Sequence, residues 1–542
     1  MSTLDWIILV TILTGIIAYG VYKSRTTKNL DGYFLGNRTM PWYIILLGIM
    51  GTQASAITFL TGPGQAYSDG MRFVQYYFGL PLAMLVIAFV FVPTFSKLKI
   101  TTAYEFLQNR FDVKTRTLTS LLFLVSRGLS TGISVYAPAI VLSTLFDWNI
   151  YITNIIMGGF LIIYTVSGGA KAVAHTQKIQ MLLVFTTLGL IIYSVIKLLP
   201  DGQTVGEAIK KATGYGKMNT ITTGFTENGF NWNDKYNIFS GIIGGFFLAL
   251  SYFGTDHSQV GRYITAKSTK ESKTGLLLNG LVKIPMQYII LMLGVFTFLF
   301  YISNKAPVYF DSVKQEKAYA TSFKEELKNT EKNYEVLLAT NQIEEANKSR
   351  EEYKAIMKKA LPNEDVSDTN FVFLRFAMDN LPKGLIGLFI AILFLSAWGS
   401  IAAALNSLAA CSVVDFHQQF FKKDLTEEES YKTAKWYTLG WGLFCIVVAM
   451  FATNIGNSLI ETVNILGSLF YGVILGIFLI AFFIKRIKAN ATFIAAIITE
   501  LLVIGIYNLK VVSFLWLNVI GALLIILVAG ILQLFIKEKG LK

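Results

Sequence analysis

Thirteen long apolar segments run through this chain, and its lysines and arginines collect in alternate gaps between them. The segments span roughly 4–23, 40–62, 72–95, 117–146, 150–167, 177–198, 237–264, 274–303, 384–417, 435–454, 459–485, 489–508 and 511–536. About 20 apolar residues in helical form cross the hydrocarbon core of a bilayer, so this pattern specifies an all-α membrane bundle. Lys and Arg favour cytoplasmic loops. Lys23, Arg25, Lys28 and Arg38 follow the first segment, and Lys97, Lys99, Arg110, Lys114 and Arg116 follow the third. Arg262, Lys267, Lys270 and Lys273 close the seventh, Lys485, Arg486 and Lys488 follow the eleventh, and Lys537, Lys539 and Lys542 end the chain. The gaps at 146–149, 454–457 and 508–510 are poor in charge. The expected topology has the amino terminus outside and the carboxyl terminus inside.

Of 542 residues, 54% are hydrophobic and only 15% charged, against about 25% charged in soluble domains. The net charge of +13 reads as a cytoplasmic rim facing anionic membrane lipid, and no nucleic-acid partner is expected. Cys411 and Cys445 fall inside apolar segments, so no disulfide framework is implied. The first segment lacks a basic leader and is followed by basic residues, which reads as a signal anchor.

Two segments expected outside are long. Residues 199–236 are polar and rich in Gly, Thr and Asn. Within 304–383, the charged stretch 314–359 has no Gly or Pro, and Leu327, Tyr334, Leu337, Leu338 and Ile343 recur at helical spacing, with Tyr353 and Met357 beyond. A helical hairpin on the outer face is expected there. The chain thus divides into 1–303, the first part of the membrane bundle, 304–383, an extracytoplasmic charged helical insertion, and 384–542, the rest of the bundle.

The apolar segments are not uniform. The second is interrupted by Gly48, Gly51, Thr52, Gln53, Ser55 and Thr58, then by Gly62, Pro63 and Gly64, and the ninth contains Ser396, Gly399, Ser400, Asn406 and Ser407. Small residues let helices approach closely. A discontinuous helix is the second reading, because unwound backbone is tolerated at membrane depth where its carbonyls line a cavity or bind an ion.

Five motifs resemble the sodium/solute symporter family, whose members carry sugars, proline, iodide, monocarboxylates, vitamins and sialic acid. They are Gly51 to Gly62 (GTQASAITFLTG), Ile100 to Phe111 (ITTAYEFLQNRF), Ser167 to Val173 (SGGAKAV), Phe253 to Tyr263 (FGTDHSQVGRY) with Ala266 to Ser268, and Gly399 to Ser407 (GSIAAALNS). The resemblance covers nearly all of the chain except 304–365. It implies a LeuT-type fold: two inverted repeats of five helices, spans 2–6 and 7–11, with one helix before and two after.

The resemblance also implies a sodium ion held by the carbonyls of Gly51, Ala54 and Ser396 and the hydroxyl of Ser400. Family members usually carry a hydroxyl just before the position of Ser400, where this chain has Gly399. Two-sodium members have Ser or Thr at the positions of Ala402 and Ala403 and Asp at that of Gln177. One sodium per solute is therefore expected. His175 and Lys178 beside Gln177 leave proton participation open, since His titrates near neutrality; an interfacial pair facing lipid headgroups is the alternative.

The solute site is expected at the bilayer midplane beside the unwound segment. Thr58 occupies the position of a polar contact in the family, Tyr252 that of an inner-gate tyrosine, and Lys283 that of a lysine that binds sugar hydroxyls. Arg127 lies inside the fourth segment, where an ionisable residue is functional by default unless it snorkels to the interface. Asn464 is a further candidate. Ala249 and Tyr77 depart from the sugar-binding pattern. Lys283 with Tyr252 favours a sugar or polyol, and Arg127 favours an acid such as a monocarboxylate or sialic acid. The chain thus reads as a monomeric, multi-pass symporter of the cell membrane that couples sodium entry to import of a small polar solute, with a sugar or polyol preferred. A membrane sensor would need a signalling domain, against which the short tail after Ile536 argues, and an intramembrane enzyme would need a nucleophile–base pair or metal cluster.

Overall fold

Among the described residues, ten helical stretches are long and apolar enough to cross a membrane, and Trp42–Gln53, Ile150–Val166 and Ser240–Gly254 are shorter apolar helices. The structure, a computed structural model, describes residues 1–24, 30–146, 148–199, 203–340, 342–422, 425–452 and 458–536, without the side chains of 21, 23, 24, 30, 31, 167–172 and 427. The charges of Lys23, Arg25, Lys28, Lys537, Lys539 and Lys542, the gap at 454–457 and the side chains of the Gly168–Gly169 motif lie outside the described residues. The chain is a multi-pass membrane protein. Its one described sheet is a two-stranded ribbon, Phe225–Thr226 against Gly229–Phe230.

The helix at the centre is Leu385–Cys411, which is buried along almost its whole length. Its Gly, Ala and Ser residues let Val113–Phe146, Ile150–Lys197 and Thr3–Ser24 pack closely against it. The first helix is tied to it by Asp5, whose Oδ1 accepts from the amides of Gly384 at 2.7 Å and Gly387 at 3.0 Å. A Cβ on Gly387 would lie 2.2 Å from the Asp5 carbonyl, so only glycine permits this approach.

Two helices are broken beside this core. Trp42–Gln53 ends at Ala54 (φ −82°, ψ 83°), Ser55 is extended, and Ala56–Asp69 follows. The Ser55 amide donates to the Gln53 carbonyl at 3.1 Å, which leaves the Gly51 carbonyl without its helical partner. The second break falls within segment 237–264, which reads as one span in the sequence. Gly245–Gly254 stops at Thr255, and His257–Tyr263 restarts with Asp256 as its N-cap, accepting from the Ser258 amide at 2.8 Å. The signal for it is local: Gly254 followed by a capping Thr and Asp.

Several arginines counted as rim charges are interior. Arg116 is 4% exposed; its Nε donates to Asp415 Oδ1 at 2.7 Å, where Thr102 also donates at 2.8 Å. Arg110 caps the end of Leu459–Phe483 by donating to the Ile484 and Ile487 carbonyls. Arg262 is also buried. Arg116 and Arg110 thus satisfy a buried carboxylate and helix-end carbonyls, while the Arg262 Nε is buried without a partner among the described residues.

Residues 314–359 are helical as expected, in Ser312–Tyr319, Lys324–Ala339 and Ile343–Ala360. The last two form a hairpin around buried Leu327, Tyr334, Tyr353 and Met357. Its inner end reaches the bundle: Arg350 pairs with Asp368 at 2.7 Å and lies 5.8 Å from the Tyr67 ring in the second half of the broken helix.

Candidate solute and ion site

A cavity of about 120 Å³ opens between the two breaks, the central helix and Leu459–Phe483. Thr58, Arg127, Tyr252, Asn464 and Ser400 all line it. These residues are spread over more than 400 positions of sequence, and the packing of five helices brings them together. Gly51, Ala54, Ser396 and Lys283 are not on its wall. Lys283 is 1% exposed, with its ammonium 5.4 Å from the ring of Tyr77, which does face the cavity.

Arg127 is the one charged residue among the described lining residues. Its Nε donates to Asp256 Oδ2 at 3.0 Å, its Nη2 also meets Asp256, and Nη2 donates to the Tyr471 hydroxyl at 2.7 Å. The Tyr471 hydroxyl donates onward to Asp256 Oδ2 at 2.8 Å. The Arg127 guanidinium lies 5.2 Å from the Tyr252 ring, whose hydroxyl accepts from Gln259 at 2.7 Å. Tyr76 donates to the Asn464 carboxamide oxygen at 3.0 Å, which orients that amide on the cavity wall. Asp256, Tyr471 and Tyr76 did not stand out in the sequence as site residues. The one signal was for Asp256, an acid placed within an apolar segment.

Next to the cavity lies the candidate ion site. Ser400 faces the cavity and its hydroxyl donates to the Ala397 carbonyl at 3.1 Å. The Ser396 hydroxyl is buried and without a partner, and the Gly51 carbonyl has lost its helical amide at the break. Neutral oxygens of this kind suit a monovalent cation, because they bind it without burying a counter-charge. Among the described residues no three His, Cys, Asp or Glu converge.

The departures at Gly399 and Gln177 are linked. Gln177 Nε2 donates to the Gly399 carbonyl at 3.0 Å and to the Thr52 hydroxyl at 3.2 Å, so its carboxamide bridges the broken helix and the central one. A Cβ on Gly399 would lie 2.5 Å from Gln180 Oε1. The end of the Gln180 side chain therefore occupies the space that a side chain at 399 would need. Lys178 is exposed, 5.6 Å from the Tyr43 ring, and neither it nor His175 lines the cavity.

A family model described as sodium:solute symporter family matches residues 33–321 and 352–499, leaving out most of the charged hairpin. The sodium/sialic acid symporter NanT of Aliivibrio fischeri is 26% identical over 532 residues, 97% of this chain and 92% of that protein. The sodium/sialic acid symporter SiaT of Proteus mirabilis is 25% identical over 97% of this chain and 94% of its own length. The sodium-dependent multivitamin transporter of Oryctolagus cuniculus is 25% identical over 89% of this chain and 66% of its own length. Among solved structures, a Na+-coupled sialic acid symporter in a substrate-bound, outward-open state superposes with a TM-score of 0.78 at 23% identity, covering 99% of this chain and 98% of that one. That likeness is one of fold.

Proposed function

Given that this chain belongs to the sodium:solute symporter family, we propose that it couples sodium entry to the import of a small organic acid of the sialic acid kind. The carrying observation is Arg127, the one charged residue among the described residues that line the cavity. A guanidinium presents paired donors that match a carboxylate. Sialic acid symporters similar over 97% of this chain support the same choice. The sugar or polyol preference leaned on Lys283, and Lys283 stands behind Tyr77, off the cavity wall; nothing in the relatives favours it specifically.

In this reading Thr58, Tyr252 and Asn464 bind the rest of the solute, and sodium sits between the break at Gly51 and Ala54 and the central helix at Ser396 and Ser400. Loss of the ion would free the two helices to separate, which couples solute and ion. We also read thirteen crossings with the amino terminus outside, and an inverted repeat of spans 2–6 and 7–11. The two breaks support the repeat, since they fall in spans 2 and 7, the first helix of each half. The hairpin would then stand outside the membrane.

Proteoliposomes with a sodium gradient test the function. N-acetylneuraminate, a monocarboxylate, a hexose and a polyol are offered with and without sodium. Sodium-dependent uptake of an acid is expected, and Arg127→Lys should lose most of the affinity despite keeping its charge. Uptake of only the neutral solutes would refute the acid reading.

A further inference from the structure

Asp256 is 1% exposed and does not itself line the cavity. Its Oδ1 accepts from the Ser258 amide at 2.8 Å and hydroxyl at 2.6 Å. Its Oδ2 accepts from Arg127 and from the Tyr471 hydroxyl. Both oxygens are thus engaged by donors. Arg127 spends its Nε and Nη2 on this contact. Arg127 also hydrogen-bonds the Tyr252 side chain, and its own side chain reaches the cavity.

This geometry has a consequence for a carrier that must reorient both loaded and empty. A buried guanidinium without a counter-charge is costly. When a solute carboxylate is present it supplies that charge; when the solute has left, something else must. We propose that Asp256 is a built-in stand-in for the solute's carboxylate. It neutralises Arg127 while the cavity is empty, and shares the guanidinium with the solute when the cavity fills. Asp256 is then a positioning residue with two effects. It lowers the affinity for the acid by competing for Arg127, and it permits the empty transporter to return. The Tyr471 hydroxyl, bonded to both partners, holds the shared geometry. This inference rests on the acid reading above.

Asp256→Asn tests it, since Asn keeps the size and the N-cap, removes the charge and places an amide NH2 where Arg127 and Tyr471 now donate. Full-length protein in proteoliposomes is assayed with N-acetylneuraminate and its methyl ester. In the variant the acid should bind about tenfold more tightly, the scale of a lost charge competitor, while the neutral ester binds as before. Net uptake into empty vesicles should fall about tenfold, because the empty carrier returns with an unpaired guanidinium. Exchange against preloaded acid, which needs no empty return, should persist. Weaker or unchanged acid binding in a normally folded variant would overturn the proposal, as would net uptake and exchange falling together. Should Asn fail to fold, Asp256→Ser, which also caps, carries the same expectations; failure of both marks the pair as purely structural and also overturns it. If wild type takes up no acid, the acid reading falls and this inference with it. If wild type does and the variant binds no tighter, only the inference falls.

Discussion

Ser400 and Gly399 are neighbours in sequence with opposite lessons. Ser400 follows from its place in the GSIAAALNS motif, and its hydroxyl faces the cavity beside the break. Ser400→Ala is expected to raise the sodium concentration for half-maximal uptake several-fold with expression intact; unchanged sodium dependence would remove it from the ion site. Gly399 was visible as a missing hydroxyl, but its cause was not, because Gln180 lies 219 positions earlier and meets it only in the packed bundle. Gly399→Ser should cost about 1 kcal/mol of stability, because the end of the Gln180 side chain must shift to admit it. Adding Gln180→Ala should recover the thermal midpoint and, with the extra hydroxyl now accommodated, lower the sodium requirement. A Gly399→Ser protein as stable as wild type would show that Gln180 yields freely. Asp256 and Tyr471 escaped notice for the same reason as Gln180: their roles are set by Arg127, 129 and 344 positions away.

Helices that a hydropathy pattern reads as whole are here divided, and the polar connecting pieces fasten the apolar ones. Lys217, in the polar 199–236 segment, donates to the Tyr67 and Ser68 carbonyls at 2.8 Å each, closing the end of the second half-helix. Burial lowers its ammonium to about 8 from 10.5, with Asp69 pulling the other way. Between these values the unfolded chain binds more protons than the folded one, so stability rises with pH from about 8 to about 10.5. The thermal midpoint measured across that window should climb, and Lys217→Met should flatten the climb. The hairpin behaves as two parts. Its tip lies outside the family match, between residues 321 and 352, and replacing 324–345 by a short Gly/Ser linker should preserve uptake. Its inner end does not share that freedom. Burial pushes the Asp368 carboxyl up, yet Arg350 and Lys354 outweigh it and hold the group below its ordinary value. Arg350→Ala would strand that charge at a cost of about 3–5 kcal/mol, read as a lower thermal midpoint; a silent substitution would show that Lys354 suffices.

For the molecule as a whole, ion count and solute charge are joined by electrostatics. One charge crossing 100 mV is worth about 2.3 kcal/mol, and a tenfold sodium gradient about 1.4 kcal/mol. A neutral solute carried with one sodium could be concentrated roughly 500-fold on these terms. A monoanion carried with one sodium moves no net charge, so the potential contributes nothing and the limit is about tenfold. With Gln177 and not a carboxylate beside the ion site, one sodium is expected, and uptake of an acid should be electroneutral. A current accompanying acid uptake would require a second cation. The membrane class, the family and the helical insertion were determined by the sequence alone, and the break in the second segment was one of two readings it left open. Each depends on composition or short motifs, which respond to the solvent and to local backbone preferences. The three-dimensional packing decided which candidates share a cavity, that Lys283 stands behind Tyr77, that the seventh segment is cut at Asp256, and that Arg127 is already neutralised. Those outcomes depend on helices far apart in the chain being pressed together, and the pairing of two charges 129 residues apart has no one-dimensional signature.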